Sequence, residues 1–364
     1  MTKKLSDSRQ DALVNADRRQ LLRSGLGAGT LAAGAMLVAV TPASVALAAA
    51  NGKPRKIMWV THSIGEWNLA VDVGFRDFCE QAGWSYQKVG VPGGSYSAED
   101  NVNQVKLAVQ AKPDVIISTI TNPAVEAPLV EAEKAGILII LNNSAIEDIR
   151  AAYNWGFIGA GGLGQGLIVG RYLAKWLVDH GKKEGVILFG NAEPGHPVLN
   201  DRKLGGIAGL EETNKKAGTK FTVQEFADQS HDIAQSVPLY SSSMRGLGDK
   251  FLGFMPSGYS SMVAAYKMLE GAGVPPGQVP IAGTDTGPDI NEGIDKGYIN
   301  LAVEQELYNQ GYLSAATAWA RLERLNIPPV TNTGTAVVTK DNLKFFSDRS
   351  DIVLRRAKEL NLKL

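Results

Sequence analysis

From Arg55 onward the chain alternates two hydrophobic rhythms. Short runs that are apolar almost throughout, RKIMWV (55 to 60), DVIIST (114 to 119), ILIIL ending at Leu141, GVILFG (185 to 190), KFLGFM (250 to 255), VPIAG (279 to 283) and INLAVE (299 to 304), have the length and β-branched content of buried strands. WSYQKV and FTVQEF (221 to 226) are more polar versions of the same signal. Between the runs, apolar residues recur three and four apart, as in Leu69 to Ala82, Ala98 to Ala111, Ala124 to Ala135 and Leu163 to Leu177, which gives each helix one apolar face. Strands apolar on both faces, each followed by a helix, predict parallel sheets covered on both sides, an α/β doubly wound architecture. There are roughly ten such units, more than one ordinary sheet holds, so the pattern predicts two lobes. A closed βα barrel is the competing arrangement; the connector from Asn142 to Trp155 and the loop-rich stretch at Pro328-Pro329 break the repeat where a barrel would continue.

The first fifty residues follow neither rhythm. Arg18 and Arg19 precede Leu21, Leu22 and Arg23, a Gly/Ala-rich stretch runs from Ser24 to Val40, and Ala46-Leu47-Ala48 supplies the small residues of a cleavage site. This segment, residues 1 to 48, resembles a twin-arginine export signal, although Asp17 stands where such signals carry Ser or Thr. Ser24, Gly25, Gly27, Gly29, Thr30 and Gly34 dilute it below the apolar run of about 20 residues that spans a bilayer. Cleavage after Ala48 removes six basic and three acidic residues from a chain with 37 of each, and leaves a net charge of −3. No cysteine follows to carry a lipid, so the expected location is the periplasm.

Balanced charge removes the basic footprint of a nucleic-acid binder. One cysteine, Cys79, excludes an internal disulfide framework and reads as a small buried hydrophobe, and four scattered histidines give no metal-site spacing. No cofactor is expected. Gly159-Ala160-Gly161-Gly162-Leu163-Gly164 matches GxGxxG, but the strand that follows ends at Asn191 without the carboxylate a dinucleotide ribose needs. A tight turn that opens the next helix is the simpler account.

In doubly wound sheets ligands bind beyond the carboxyl ends of the strands. The residues there are Thr61, His62, Glu66 and Trp67; Thr121 and Asn122; Asn142 and Asn143; Asn200; Ser257; Asp285; and Gln305. Amides, hydroxyls and carboxylates with one indole suit a neutral polyhydroxylated ligand, because each amide both donates and accepts and a flat ring covers the C–H face. Any single Asn or Asp in the set reads equally well as a helix cap or turn former.

At this point the chain resembles the periplasmic sugar-binding proteins of the ribose- and galactose-binding type, the soluble receptors of ABC importers. The resemblance rests on KIMWVTHSIGEWNLAVDVGF, PDVIISTITNPAVEAPLVEAEKAGILIILNN, FIGAGGLGQGLIVGRYLAKWL and GTDTGPDINEGIDKGYINLAVEQ, and it runs over nearly all of the chain after the signal. It implies the type I periplasmic binding protein fold, two lobes joined by a three-stranded hinge, with crossings near Phe157 to Gly161, Glu304 to Leu307 and Pro329 to Gly334. One lobe is expected from residues 53–158 plus 306–330, the other from 159–305 plus 331–364. The family's stacking aromatic falls on Trp67, its hydrogen-bonding pair on Asn142 and Asn143, its carboxylate on Asp285 and its late glutamine on Gln305. Its ligand-binding arginine position falls on Asn200, and Arg202 resembles the motif's second arginine. These exchanges remove charge from the cleft and leave sugars and polyols open. Pro238 departs from the pattern and predicts a break in the helix of Ser236 to Lys250.

The implied function is a non-enzymatic, monomeric receptor that closes on a sugar or polyol and is read by an inner-membrane ABC permease, with a chemoreceptor as a second reader of the closed face. The competing classes are an exported NADP-dependent oxidoreductase, a hydrolase and a repressor. They need respectively a nucleotide fingerprint after the first strand, where THSIGEW (61 to 67) has only Gly65, a GxSxG or HExxH element, and a helix-turn-helix reader in place of the signal.

Overall fold

The computed structural model describes residues 52–62, 64–91, 98–228 and 232–362, so the expected export signal and its cleavage near Ala48 lie outside the described residues. In chain order the first elements are β1 (Lys56–Val60), α1 (Leu69–Ala82), β2 (Ser85–Val89), α2 (Ala98–Gln110), β3 (Val115–Ser118), α3 (Glu126–Lys134), β4 (Leu138–Asn142), α4 (Glu147–Ala152) and β5 (Gly156–Gly159). There follow α5 (Gly162–Asp179), β6 (Glu184–Asn191), α6 (Pro197–Ala217), β7 (Lys220–Ala227), α7 (Ile233–Leu247), β8 (Phe251–Phe254) and α8 (Tyr259–Gly271). The chain closes with β9 (Ala282–Thr284), α9 (Pro288–Asp295), β10 (Leu301–Glu304), α10 (Leu307–Leu322), β11 (Val330–Asn332), β12 (Ala336–Val338) and α11 (Leu343–Glu359).

Two sheets result. The first is parallel throughout, in the order β2-β1-β3-β4-β5-β11. Its strands are apolar on both faces because both are covered: Ile57, Trp59, Val115, Ile117 and Ile140 face α1 and α10, whereas Met58, Val60, Ile116, Ile139 and Leu141 face α2 and α3. The second runs β7-β6-β8, continues through a parallel bridge from Phe254 to Ile281 into β9 and β10, and ends on β12. β12 is antiparallel to β10, an edge the expected all-parallel pattern did not contain. Ile187, Phe189, Leu252 and Val303 meet α5 and α6 on one face, while Leu188, Phe254, Ile281 and Ala302 meet α7, α8 and α9 on the other. Cys79 sits in the first lobe's core, where burial pushes its thiol up to about 12.

The expected break at Pro238 does not occur: α7 continues through it. Asp232 caps the start, accepting the Gln235 N–H at 3.1 Å, and Val237, Tyr240, Met244 and Leu247 hold the helix on the core despite the lost backbone bond.

The chain crosses between the sheets after β5, after β10 and after β11. The three crossings are bonded to one another: the Thr333 N–H donates to the Gly159 carbonyl at 3.0 Å, and the Thr333 hydroxyl donates to the Gln305 carbonyl at 3.0 Å. α11 makes a further link. Its Phe346 lies in the second lobe's core, whereas its Ala357 packs on Leu69 and Val73 of α1 in the first.

Candidate functional site

On the second lobe, Asp285 follows β9, and its φ of +81° turns the chain sharply at the strand's carboxyl end. One carboxylate oxygen accepts the N–H of Tyr259, the first residue of α8, at 2.8 Å, so the positive end of that helix faces the negative group. The other accepts the Gln305 amide N–H, and the Arg202 guanidinium stands 4.0 Å away. Arg202 rises from α6 and is fixed by donating to the Gln165 side chain at 2.8 Å and to the Ser257 carbonyl at 2.7 Å. Burial pulls its pKa down and Asp285 opposes that pull.

Two further titratable groups stand in the loop before α6. His196 caps that helix by accepting the Val198 N–H on Nδ1 at 3.2 Å; burial first, then Arg202, holds its pKa down at about 3, so the imidazole stays neutral. Burial pushes the Glu193 carboxyl up to about 8.

On the first lobe, His62 follows β1 and stacks on Trp67 with ring centroids 5.2 Å apart. The His62 ring also meets the His196 ring edge-on at 5.6 Å, a contact from one lobe to the other. Asn142 and Asn143 follow each other at the end of β4 and diverge. The fully buried Asn142 donates to the Gln310 carbonyl at 3.1 Å and to Ser314 at 2.9 Å, binding β4 to α10; Asn143, at φ +64°, donates to the Gln310 side-chain oxygen at 3.0 Å. The Gln310 amide in turn donates to the Gln305 carbonyl at 3.1 Å. A continuous chain of bonds therefore runs from Asn143 through Gln310 and Gln305 to Asp285.

The remaining sequence-derived residues divide by task. Asn122 caps a 3-10 turn, accepting the Ala124 N–H at 2.9 Å. Ser257 is wholly buried and knits loops together, its hydroxyl accepting the Ala192 N–H at 3.0 Å while its carbonyl also accepts the Thr284 hydroxyl at 3.0 Å. Thr61 is buried at the end of β1, Glu66 begins the short 3-10 turn before α1, and Asn200 is half-buried in the first turn of α6. Arg202, not Asn200, approaches Asp285. Residue spacing did not reveal Gln310, Glu193 or the capping role of His196.

Several buried polar atoms at these strand ends have no hydrogen-bond partner within the protein: the hydroxyls of Ser118, Thr119 and Thr121, the Asn142 side-chain oxygen, the Gln165 amide nitrogen and one Glu193 oxygen. Each such atom costs about 1–3 kcal/mol, which asks for a reason beyond the stability of the fold. Their donors and acceptors, like those of Asp285, Arg202 and Gln305, are of the kind that hydrogen-bond hydroxyl groups.

The GxGxxG segment serves packing. A Cβ on Gly159 would strike the Phe157 ring at 2.4 Å and one on Gly162 would lie 2.8 Å from the Val198 carbonyl, so these glycines bring the crossing and α5 close to their neighbours.

Among the solved structures that share the fold are the following three. An ABC transporter solute-binding protein from Burkholderia graminis C4D1M in complex with D-arabinose is 23% identical, with a TM-score of 0.71 over 80% of this chain and 98% of that one. One from Agrobacterium vitis bound with alpha-D-tagatopyranose is 19% identical, with a TM-score of 0.70 over 79% and 96%. A galactofuranose-binding protein is 17% identical, with a TM-score of 0.71 over 82% and 99%. No curated protein matches the chain. The family model described as periplasmic binding protein domain matches residues 57–325, which is most of the chain and takes in β1 through α10, and the chain belongs to that family.

Proposed function

We propose that this protein is the periplasmic solute receptor of an ABC importer, closing two lobes on a small uncharged hydroxylated ligand, a sugar or polyol, and presenting the closed form to a membrane permease. The observation that carries the reading is the opposition of unlike surfaces: His62 on Trp67 from the first lobe meets His196 of the second, while Arg202 of α6 stands beside Asp285 and Gln305 at the second lobe's strand ends. The D-arabinose, tagatopyranose and galactofuranose named for the three related structures support a sugar as the ligand class here. The carboxylate accepts from two ligand hydroxyls, the guanidinium donates to one or two, and Trp67 covers the C–H face. Contacts to both lobes exist only when the lobes are together, so ligand shifts the population toward the closed form by its difference in affinity for the two forms. The receptor acts as a monomer, exported by the N-terminal signal, and a chemoreceptor is a second reader of the closed face.

A thermal-shift screen of the protein lacking residues 1–48 against aldoses, ketoses and polyols tests the class, since a ligand that binds only the native state raises the melting temperature. For a sugar that registers, Trp67→Ala and Asp285→Asn each weaken calorimetric affinity by about tenfold or more, as expected for one well-buried contact. Unchanged affinity in both variants removes these residues from the site.

A further inference from the structure

Beside Trp67 and the Asp285–Gln305 pair, the two lobes and α11 border a pocket. Trp67 and Leu69 line it from the first lobe, Thr286 and Glu304 from the second, and Phe346, Val353 and Leu354 from α11.

It adjoins the candidate site at two points. Trp67 belongs to both. Thr286 and Glu304 are the immediate chain neighbours of Asp285 and Gln305, and the same two strand ends carry both pairs: Gln305 donates to Asp285, and the Thr286 hydroxyl donates to the Glu304 carboxylate. The chamber thus begins one residue beyond the polar pair.

Its chemistry differs from that of the polar pair. Among the described residues, the one cation on its wall is Arg349, which both Glu306 oxygens engage, with Nη1 to Oε1 at 3.1 Å, so none of them offers an unpaired positive charge to draw an anion. The Glu304 carboxyl is pushed up to about 7 by burial, with Asp285 and Glu306 adding to the effect, and so is partly neutral near pH 7. Indole, phenyl, phenol and aliphatic surfaces make up the remaining wall together with Thr286, Glu306 and Ser350.

We infer that this chamber receives an uncharged apolar or aromatic substituent of the molecule held at Asp285 and Trp67, which narrows the ligand class from plain sugars to glycosides or related hydroxylated compounds carrying such a group. The inference rests on the proposed cleft. Free-sugar binding uses the polar array alone, and burying an added ring among Phe346, Val353 and Leu354 adds affinity without adding hydrogen bonds.

The test is calorimetry with a panel of pentoses and hexoses, including D-arabinose and D-galactose, each measured beside its phenyl glycoside. A phenyl glycoside should bind about tenfold or more tightly than its parent sugar. Ser350→Trp, which fills the chamber from α11, should erase that gain and leave the parent sugar within about twofold; Leu354→Ala should lose part of the gain and guards against a misfolded Trp variant. Parent sugars that bind while their phenyl glycosides bind no tighter overturn this inference alone, as does a gain that survives both variants. A polyol that binds in the thermal-shift screen when no sugar or glycoside does overturns this inference alone, and failure of sugars, glycosides and polyols alike overturns the cleft reading and this one with it.

Discussion

Asp285 illustrates how a single residue just after a strand is fixed by its neighbours. Its left-handed backbone, its bond from Tyr259 and its contact with Gln305 are mutually dependent, and the sequence signalled it correctly as a carboxylate at a β terminus. Asn142 and Asn143 were indistinguishable by spacing, yet one is spent on Gln310 and Ser314, more than 160 positions away, a partner that no local pattern contains. Spacing likewise put Asn200, not Arg202, among the strand-end residues: two residues along a helix is about 200° of rotation, and only the packing of α6 on α5 decides which faces inward. Burial raises Glu193 to about 8 and Glu304 to about 7 and lowers His196 to about 3. In the unfolded chain the carboxyls return to about 4.3 and the histidine to about 6.5. A raised carboxyl holds its proton more tightly when folded, so the stability it carries at low pH is lost as pH climbs from the unfolded value to the folded one. The lowered histidine acts in the opposite sense, gaining stability from about pH 3 to about 6.5. The two trends oppose each other up to about pH 6.5, and above it only the carboxyls act. The melting temperature of the ligand-free protein should therefore fall between about pH 6.5 and 8, and Glu193→Gln with Glu304→Gln should flatten that slope. A wild-type melting temperature that rises across the interval contradicts the raised values.

At the level of elements, the hydrophobic rhythm located the main helices and strands because both faces of each sheet are covered, which makes each strand a dense apolar run. It passed over α4, β5, β11 and β12, which are three to six residues long and too short for a period to register. It also misjudged Pro238, where capping by Asp232 and core contacts outweigh the lost backbone bond. The glycines of α5 were legible as a motif but not as a contact. Gly166 and Gly170 face Gly206 and its neighbours on α6 so closely that a Cβ on Gly166 would lie 1.9 Å from the Arg202 carbonyl oxygen, and one on Gly170 2.1 Å from that of Gly206. Gly166→Ala must push α6 away and carry Arg202 with it, so a loss of about 1–3 kcal/mol in urea unfolding is expected, together with weaker ligand binding. Gly164→Ala is the matched control: it lies on the same helix with nothing within 4 Å of the added carbon, and removing a flexible residue should stabilise by about 0.5–1 kcal/mol. Equal effects from the two substitutions would show that the approach of α5 to α6 carries no stability of its own.

Across the whole molecule, the two-lobe architecture followed from counting βα units, because one sheet could not hold so many. What that count could not reveal is the path of α11. An amphipathic pattern requires a partner for the apolar face without saying which lobe supplies it, and here the two halves of one helix take different partners: Phe346 joins Val338 and Ile290 of the second lobe, and Ala357 joins Leu69 and Val73 of the first. The first-lobe half is also held by charge, with Arg356 donating to Asp77 at 2.7 Å and to Glu80 while the Tyr308 hydroxyl donates to the same Asp77 at 2.9 Å. α11 therefore spans the hinge as a link additional to the three covalent crossings, and its two ends should respond separately. Arg356→Glu sets a like charge against Asp77 and Glu80, and an exposed or partly exposed pair of this kind is worth about 1 kcal/mol, enough to raise the fraction of time the end is detached several-fold. Hydrogen exchange should then accelerate several-fold in amides of residues 352–360, whereas those at 346–349, whose helix turn is anchored by Phe346, keep the wild-type rate. Faster exchange along the whole of α11 would mean that the helix moves as one rigid piece with a single lobe, and would exclude it as a link between the two.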